Sequence, residues 1–495
     1  MNSVAKSPAR RWLAEASSPY LRLCSASQVA WSPWSRETFA RAREQQVPIF
    51  VHVGVHASTQ CQEMVRETLS DPEVVERLNT AWLCVAIDGE QRPDLTTFFQ
   101  SASQILGAES GWPLTIFLTP DAEPFFAGTF FPKDGFEGHE RFADVLGRAE
   151  NAWAHQRAHV QEQGARVVHH LQTSSGARPG SLSGGQAIDQ SVHAFGTMLQ
   201  ESHAGLAQGA IAPQSAALRW LISLAETSDS AVVLLSQALD AVAGGALRDH
   251  IGGGFFWSDS GTPQRPPEPA KTLRDNARLA QIYLAGHVVS GEGRFRDVGL
   301  ETLDFLIREL RGPRGQFYAG LRASETQVDE AGSGERSAHE TLGFTWRAQD
   351  VHQALDGESA AFIDAFCSHY GLEDPSPEAQ RQFLRVVRPL GPIAARLGLD
   401  LEALDNKVRQ IRARLQQWRA HAAKHQINTQ VLPSGNGLVM STLAYAYLLT
   451  GTSDYLEAAQ ASGEFLLETL PGDGDGGRGR HVRAAPATVA LQLEA

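Results

Sequence analysis

Residues Pro48–Gln62 read PIFVHVGVHASTQCQ. The first seven residues are an apolar, β-branched run closed by a glycine, which predicts a short buried strand ending at Gly54. A loop follows, Val55-His56-Ala57, and a helix begins near Ser58, with Cys61 one turn into it. Such a junction suits a reactive group, because a helix N-terminus carries unpaired N–H groups and a partial positive charge that stabilise a thiolate. Further along, Gly111-Trp112-Pro113 immediately precedes another apolar run. An X-Pro bond at that position is able to be cis and to abut the 58–61 turn.

Outward from this junction the same texture continues. Trp82–Asp88 (WLCVAID) and Leu114–Leu118 (LTIFL) read as further strands, and Pro124–Phe131 as a fourth after the turn Thr119–Ala122. Helical patterns cover Arg36–Gln45, Ser58–Asn79 and Asp94–Gln104. The second of these breaks near Ser70-Asp71-Pro72, where Asp71 caps and Pro72 opens a new helix. Phe142, Val145, Leu146, Ala149 and Trp153 then share one face of a long helix. Strands separated by helices imply a partly parallel α/β sheet. Thr173–Gln186 (TSSGARPGSLSGGQ) reads as a linker, since Gly and Ser supply no core side chains. Beyond it the pattern is helical almost throughout, about ten helices whose spacing predicts antiparallel hairpins.

Composition bounds the functional classes. The 495 residues carry a net charge of −13, which disfavours nucleic acid and anionic membranes as partners, since both call for a basic face. No apolar run reaches the ~18 residues that span a bilayer. The start of the chain has no apolar core of a secretory signal. The 4 cysteines (Cys24, Cys61, Cys84 and Cys367) form no C-x-x-C pair and no zinc set, so the expected compartment is the reducing cytoplasm, with no metal and no cofactor. The histidine pairs His155/His159 and His421/His425 sit at i, i+4 on expected helices, but neither has a nearby third ligand and both read as solvated faces.

Strand, loop, helix and a facing X-Pro together are the thioredoxin plan, and the residues carry a resemblance as well. Ser18-Pro19-Tyr20-Leu21, Trp31, Pro33-Trp34, Arg92-Pro93-Asp94, Gly111-Trp112-Pro113-Leu114, Phe117-Leu118-Thr119-Pro120-Asp121, Asp249-His250-Ile251-Gly252-Gly253-Gly254-Phe255, Asp275-Asn276-Ala277 and Asn436-Gly437-Leu438 occur in the order of one family. The chain resembles the thioredoxin-plus-helical-barrel family typified by spermatogenesis-associated protein 20, from about residue 11 to about residue 470. The resemblance implies an α/β plus all-α chain: a thioredoxin-like domain (1–172), the linker (173–186), an (α/α)6-toroid-like, six-hairpin-glycosidase-like domain (187–470), and a tail (471–495). Against the family's extent, the toroid reads as incomplete.

The resemblance also implies a C-H-W-C motif at the helix start, and here the chain departs from it. Ser58 stands at the first cysteine position, and Thr59 and Gln60 replace histidine and tryptophan. Thiol–disulfide exchange needs a nucleophilic thiolate and a second thiol to resolve the mixed disulfide. Ser58, Cys61, Trp112 and Pro113 therefore mark a vestigial redox site with no catalytic residue assigned, and the leading expectation is a binding or scaffolding module. Two alternatives stay open. One is a monothiol redox protein using Cys61. The other is a carbohydrate-modifying enzyme, epimerase- or glycosidase-like, whose helical cavity presents Asp249, His250, Asp275 and Asn276 beside the aromatic run Phe255-Phe256-Trp257. The competing reading of those four residues is helix capping and bridging around a glycine turn. The partners implied are an unknown protein or a small-molecule carbohydrate.

Overall fold

The computed structural model describes residues 12–109, 111–136, 138–174, 184–206, 215–257, 267–323, 344–372, 381–422 and 425–469. They fall into two compact units divided after residue 181.

The first unit is built on a five-stranded sheet in the order β1-β3-β2-β4-β5, with β1 Trp31–Ser32, β2 Ile49–Gly54, β3 Leu83–Asp88, β4 Leu114–Leu118 and β5 Pro124–Gly128. β1, β3 and β2 run parallel, while β4 and β5 are antiparallel to their neighbours. Every residue of β2, β3 and β4 is buried, because helices cover both faces. Alternation sorts the two faces: Ile49, Val51, Val53, Val85, Ile87, Ile116 and Leu118 pack with Phe39, Leu95 and Phe99. Phe50 and Phe117 point the other way, toward Trp31, Trp82 and Phe142. The helices are α1 Pro19–Cys24, α2 Arg36–Gln45, α3 Thr59–Arg66, α4 Pro72–Ala81, α5 Pro93–Ile105, α6 Phe142–His155 and α7 Arg157–Ser174. The expected break at 70–72 is present: Asp71 caps α4, accepting from the Glu73 and Val74 N–H groups, with Pro72 in its first turn.

Two details differ from the sequence reading. Thr173 and Ser174 close α7, and residues 184–186 open the next helix, so both ends of the expected linker are helical; residues 175–183 lie outside the described set. His155 ends α6 and His159 belongs to α7, so that pair shares no continuous helix.

The second unit is helical, as expected: α8 Gly184–Leu206, α9 Ser215–Leu224, α10 Asp229–Gly244, α11 Leu273–Ser290, α12 Gly293–Leu310, α13 Ala348–Ala354, α14 Ala360–Tyr370, α15 Leu390–Leu397, α16 Leu401–Ala422, α17 Pro433–Thr450 and α18 Ser453–Thr469. Short connections make hairpins of α9/α10, α11/α12 and α17/α18, and α11 packs against both α9 and α17. One core lies among α11, α12, α17 and α18, a second joins α9–α11, and a third, with Trp346 and Phe366, holds α13–α16 together. An antiparallel three-stranded sheet was not foreseen: β6 Ala270–Thr272, β7 Gly320–Ala323 and β8 His425–Asn428. It removes the second histidine pair from a single helix, since His421 is in α16 and His425 in β8. Asp329–Arg336, whose polar Gly- and Ser-containing sequence reads as an exposed loop, and the 471–495 tail lie outside the described residues. No helix among the described residues is long and apolar enough to cross a membrane.

Candidate functional site

At the C-terminal end of β2 the chain turns out of the sheet at Gly54 and enters α3 through Ser58. Ser58 is the N-cap: its Oγ accepts the Cys61 N–H at 3.3 Å. The side-chain amide of Gln62 donates to the His56 carbonyl at 2.8 Å and pins the intervening loop. The Trp112–Pro113 peptide is cis. Register pairs Val53 with Leu114, so Pro113 lies at the same sheet end as Gly54. The four residues expected there thus share one end of the sheet, in thioredoxin-like order. Their chemistry differs from a dithiol site, because Ser58 and Cys61 are both fully buried. A serine hydroxyl occupied as a helix cap has no thiolate to offer and forms no disulfide.

A polar set that sequence reasoning missed lies beneath this junction. Tyr20 and His52 share a hydrogen bond of 2.6 Å between Oη and Nε2, both fully buried. Burial lowers the His52 pKa to about 3, so the ring is neutral near pH 7. Burial likewise raises Tyr20 well above its ordinary value. Gly54 makes room for this pair: a Cβ there would sit 2.1 Å from the Tyr20 ring. Ser18 caps α1 and donates to Asp88 at 2.5 Å, tying the first helix to the end of β3. Cys24 and Cys84 are buried, and burial raises both thiol pKa values far above the ordinary one, the opposite of an activated cysteine. The available signal was a histidine inside an apolar strand whose register makes it inward-facing.

In the helical unit the four expected sugar-site residues are engaged in the framework. Asp249 is buried, and its Oδ2 lies 2.6 Å from Lys271 Nζ and 2.8 Å from Arg419 Nη1. Its Oδ1 accepts the N–H groups of Ile251 and Gly252, each at 3.0 Å. Burial alone would raise the Asp249 pKa, but Arg419 and then Lys271 overrule it and hold the carboxyl far below its usual range. Burial is also the largest influence on Lys271 and brings its pKa down to about 8 against the pull of Asp249. His250 donates from Nε2 to the Gly245 carbonyl at 3.0 Å and packs on Tyr370. Burial, then Arg248 and Arg412, lower its pKa to about 3. Asp275 accepts from the hydroxyl of Thr272, the N-cap of α11, at 2.7 Å. Asn276 binds both backbone groups of Phe255, accepting at 2.6 Å and donating at 3.0 Å, and donates to the Thr272 carbonyl.

This last arrangement occurs twice. Asn436, near the start of α17, accepts from the Phe317 N–H at 2.8 Å and donates to the Phe317 carbonyl at 2.9 Å and the Leu432 carbonyl at 3.1 Å. Next to Asp249, Glu301 bridges Arg248 at 2.7 Å and Arg412 at 2.9 Å. Among the described residues no group of three His, Cys, Asp or Glu side chains is placed to hold a metal ion.

Comparison with known proteins then places the chain. Residues 10–172 match the family model Thioredox_DsbH, described as a protein of unknown function, DUF255. Human spermatogenesis-associated protein 20 is 28% identical over 475 residues, covering 91% of this chain and 60% of that protein. The similarity to that protein runs along nearly the whole chain. It spans 60% of the length of that curated relative. An uncharacterized Caenorhabditis elegans protein, B0495.5, is 24% identical over 485 residues, 94% of this chain and 66% of its own length. Among solved structures, a sugar epimerase from a ruminal bacterium aligns over 54% of this chain and 78% of its own, with 12% identity and a TM-score of 0.21. The cellobiose 2-epimerase of Spirochaeta thermophila aligns over 60% and 89%, with 16% identity and a TM-score of 0.20. In this chain Asp249, Asn276 and Asn436 each hold segments of backbone together.

Proposed function

We propose that the N-terminal unit is a binding or scaffolding module on a thioredoxin-like fold that does not carry out thiol–disulfide exchange. The observation behind this reading is Ser58, which stands where the attacking cysteine of a C-x-x-C site would stand and is used as the cap of α3. Without a second thiol in the motif, a mixed disulfide formed at Cys61 has no resolving partner there. The full burial of Cys61 also counts against a monothiol role, because such a role needs solvent access. Four buried cysteines with no disulfide among them fit a reducing cytoplasm. A carbohydrate role for the helical unit would need Asp249, His250, Asp275 or Asn276 turned toward a cavity, and their hydrogen bonds are spent on the framework.

Turbidimetric insulin reduction with dithiothreitol tests the reading. The expected rate equals the uncatalysed background. Turnover above background that vanishes in Cys61→Ser would overturn it.

A further inference from the structure

The helical unit carries a second feature, unconnected with the thiol junction. Helices α9, α11 and α17 enclose a groove of about 500 Å3. Its walls are mainly apolar, with Ile222 from α9, Ile282 and Ala285 from α11, and Ala444, Tyr445 and Leu448 from α17. Leu448, 78% exposed, forms its rim. The volume lies in the range of small-molecule sites, which are apolar with a few placed polar groups.

The polar residues of the groove's lining are Arg219, Ser223, Gln281 and Ser441, and the charge lies at the Arg219 end. Arg219 lines the groove one turn before Ile222. Arg278 stands four residues before Ile282, and Arg274 four before that, so both continue the groove-lining face of α11 toward its N-terminus. The Arg278 Nε is buried with no acceptor. Among the described residues, none of the three arginines forms an ion pair or a side-chain hydrogen bond. The nearest carboxylate on the same helix, Asp275, accepts from Thr272. Burial, and then the like charge of Arg274, hold Arg278 below its ordinary pKa against the partial pull of Asp275. Guanidinium groups match a planar carboxylate in geometry as well as charge.

We propose that this groove binds a single-chain alkyl carboxylate, with the chain along Ile222, Ile282, Ala444 and Leu448 and the carboxylate on Arg278 and Arg219. One apolar trough ending in unpaired guanidiniums fits one chain with one anionic end. The proposal is independent of the redox reading, since it concerns the other unit and a different assay.

The test is isothermal titration of the full chain with sodium dodecanoate, with dodecanol and sodium acetate as the neutral and headgroup-only probes. Saturable 1:1 binding of dodecanoate is expected, with dodecanol weaker and acetate undetected. Arg278→Gln and Arg219→Gln should each weaken dodecanoate by about tenfold or more and leave dodecanol unchanged. Ala444→Trp, which fills the trough, should abolish binding of both. Thermal melts of each variant separate lost binding from lost folding, and Arg278→Gln removes an unpaired cation and should melt no lower than wild type. Dodecanoate affinity unchanged in the arginine variants, or equal affinity for dodecanol, overturns the proposal. So does self-association through this face, seen as an Ala444→Trp-sensitive dimer in sedimentation with no dodecanoate uptake.

Discussion

Asp249→Asn is the sharpest probe of how the helical unit holds together. The native carboxylate sits between two buried cations, Lys271 at 2.6 Å and Arg419 at 2.8 Å, and accepts two backbone N–H groups. Asparagine keeps one acceptor for the Ile251 and Gly252 amides but turns an NH2 group toward Lys271 Nζ and Arg419 Nη1. Three donors then face one another without an acceptor, and two positive charges lose their counter-ion. Removing one partner of a buried ion pair costs about 3–5 kcal/mol. With a urea m-value of about 3 kcal/mol/M for a unit of this size, the midpoint should fall by about 1–1.7 M. The assay is urea unfolding followed by circular dichroism at 222 nm, where this largely helical unit dominates. Asp249→Asn/Lys271→Met should regain part of the loss, because one stranded cation is gone. A midpoint shift below about 0.5 M for Asp249→Asn would refute the reasoning and return Asp249 to the list of groups available for chemistry.

Other outcomes follow from the same geometry. Gly54→Ala places a Cβ 2.1 Å from the Tyr20 ring and should cost about 1–3 kcal/mol by breaking the Tyr20–His52 contact, read as a lower melting temperature. Ser58→Ala removes the cap of α3 and should cost about 1 kcal/mol in chemical denaturation. Glu301 has a folded pKa of about 2 against an ordinary 4.5, because Arg412 and Arg248 outweigh the effect of burial. Its stabilisation is complete at neutral pH and is lost as pH falls from 4.5 through about 2. The side chain is 40% exposed, so screening reduces the effect to about 1–2 kcal/mol. Glu301→Gln should flatten that part of the stability–pH curve. Asn276→Ala and Asn436→Ala each strand both backbone groups of a buried phenylalanine, and each should cost about 2–4 kcal/mol in urea unfolding.

The α/β unit was legible because its signals are local. β2, β3 and β4 are short, mainly apolar runs, and Asp71-Pro72 announces its helix within four residues. The sheet of the helical unit carried no such signal. β6 and β7 are 3 and 4 residues long and include Lys271 and Arg322, and β7 pairs with a strand about a hundred residues away. Charged residues on strands so short do not alternate visibly. The histidine pairs were misplaced for a related reason. An i, i+4 count assumes a continuous helix, and the turn at Gln156 and the departure into β8 break it. At the candidate site, the missing first cysteine was plain in the sequence. The use made of Asp249 was not, because its partner Arg419 lies 170 residues on.

Two asparagine clamps hold the backbone of the helical unit in the same way. Asn276 and Asn436 each stand four residues after the residue whose carbonyl they bind, and each also grips both backbone groups of a phenylalanine from a distant segment. The task needs an acceptor and two donors on a short side chain. Aspartate lacks the donors, glutamine is a methylene too long for the same reach, and alanine leaves buried backbone groups unsatisfied. Geometry alone therefore selects asparagine at both places, with no substrate involved. The same holds for Gly253 and Gly254, whose φ values of 76° and 74° lie in the left-handed region that favours glycine. A chain that had lost a redox or sugar chemistry would retain these positions as long as it folded. Their presence marks the architecture, because each is fully engaged in holding the fold.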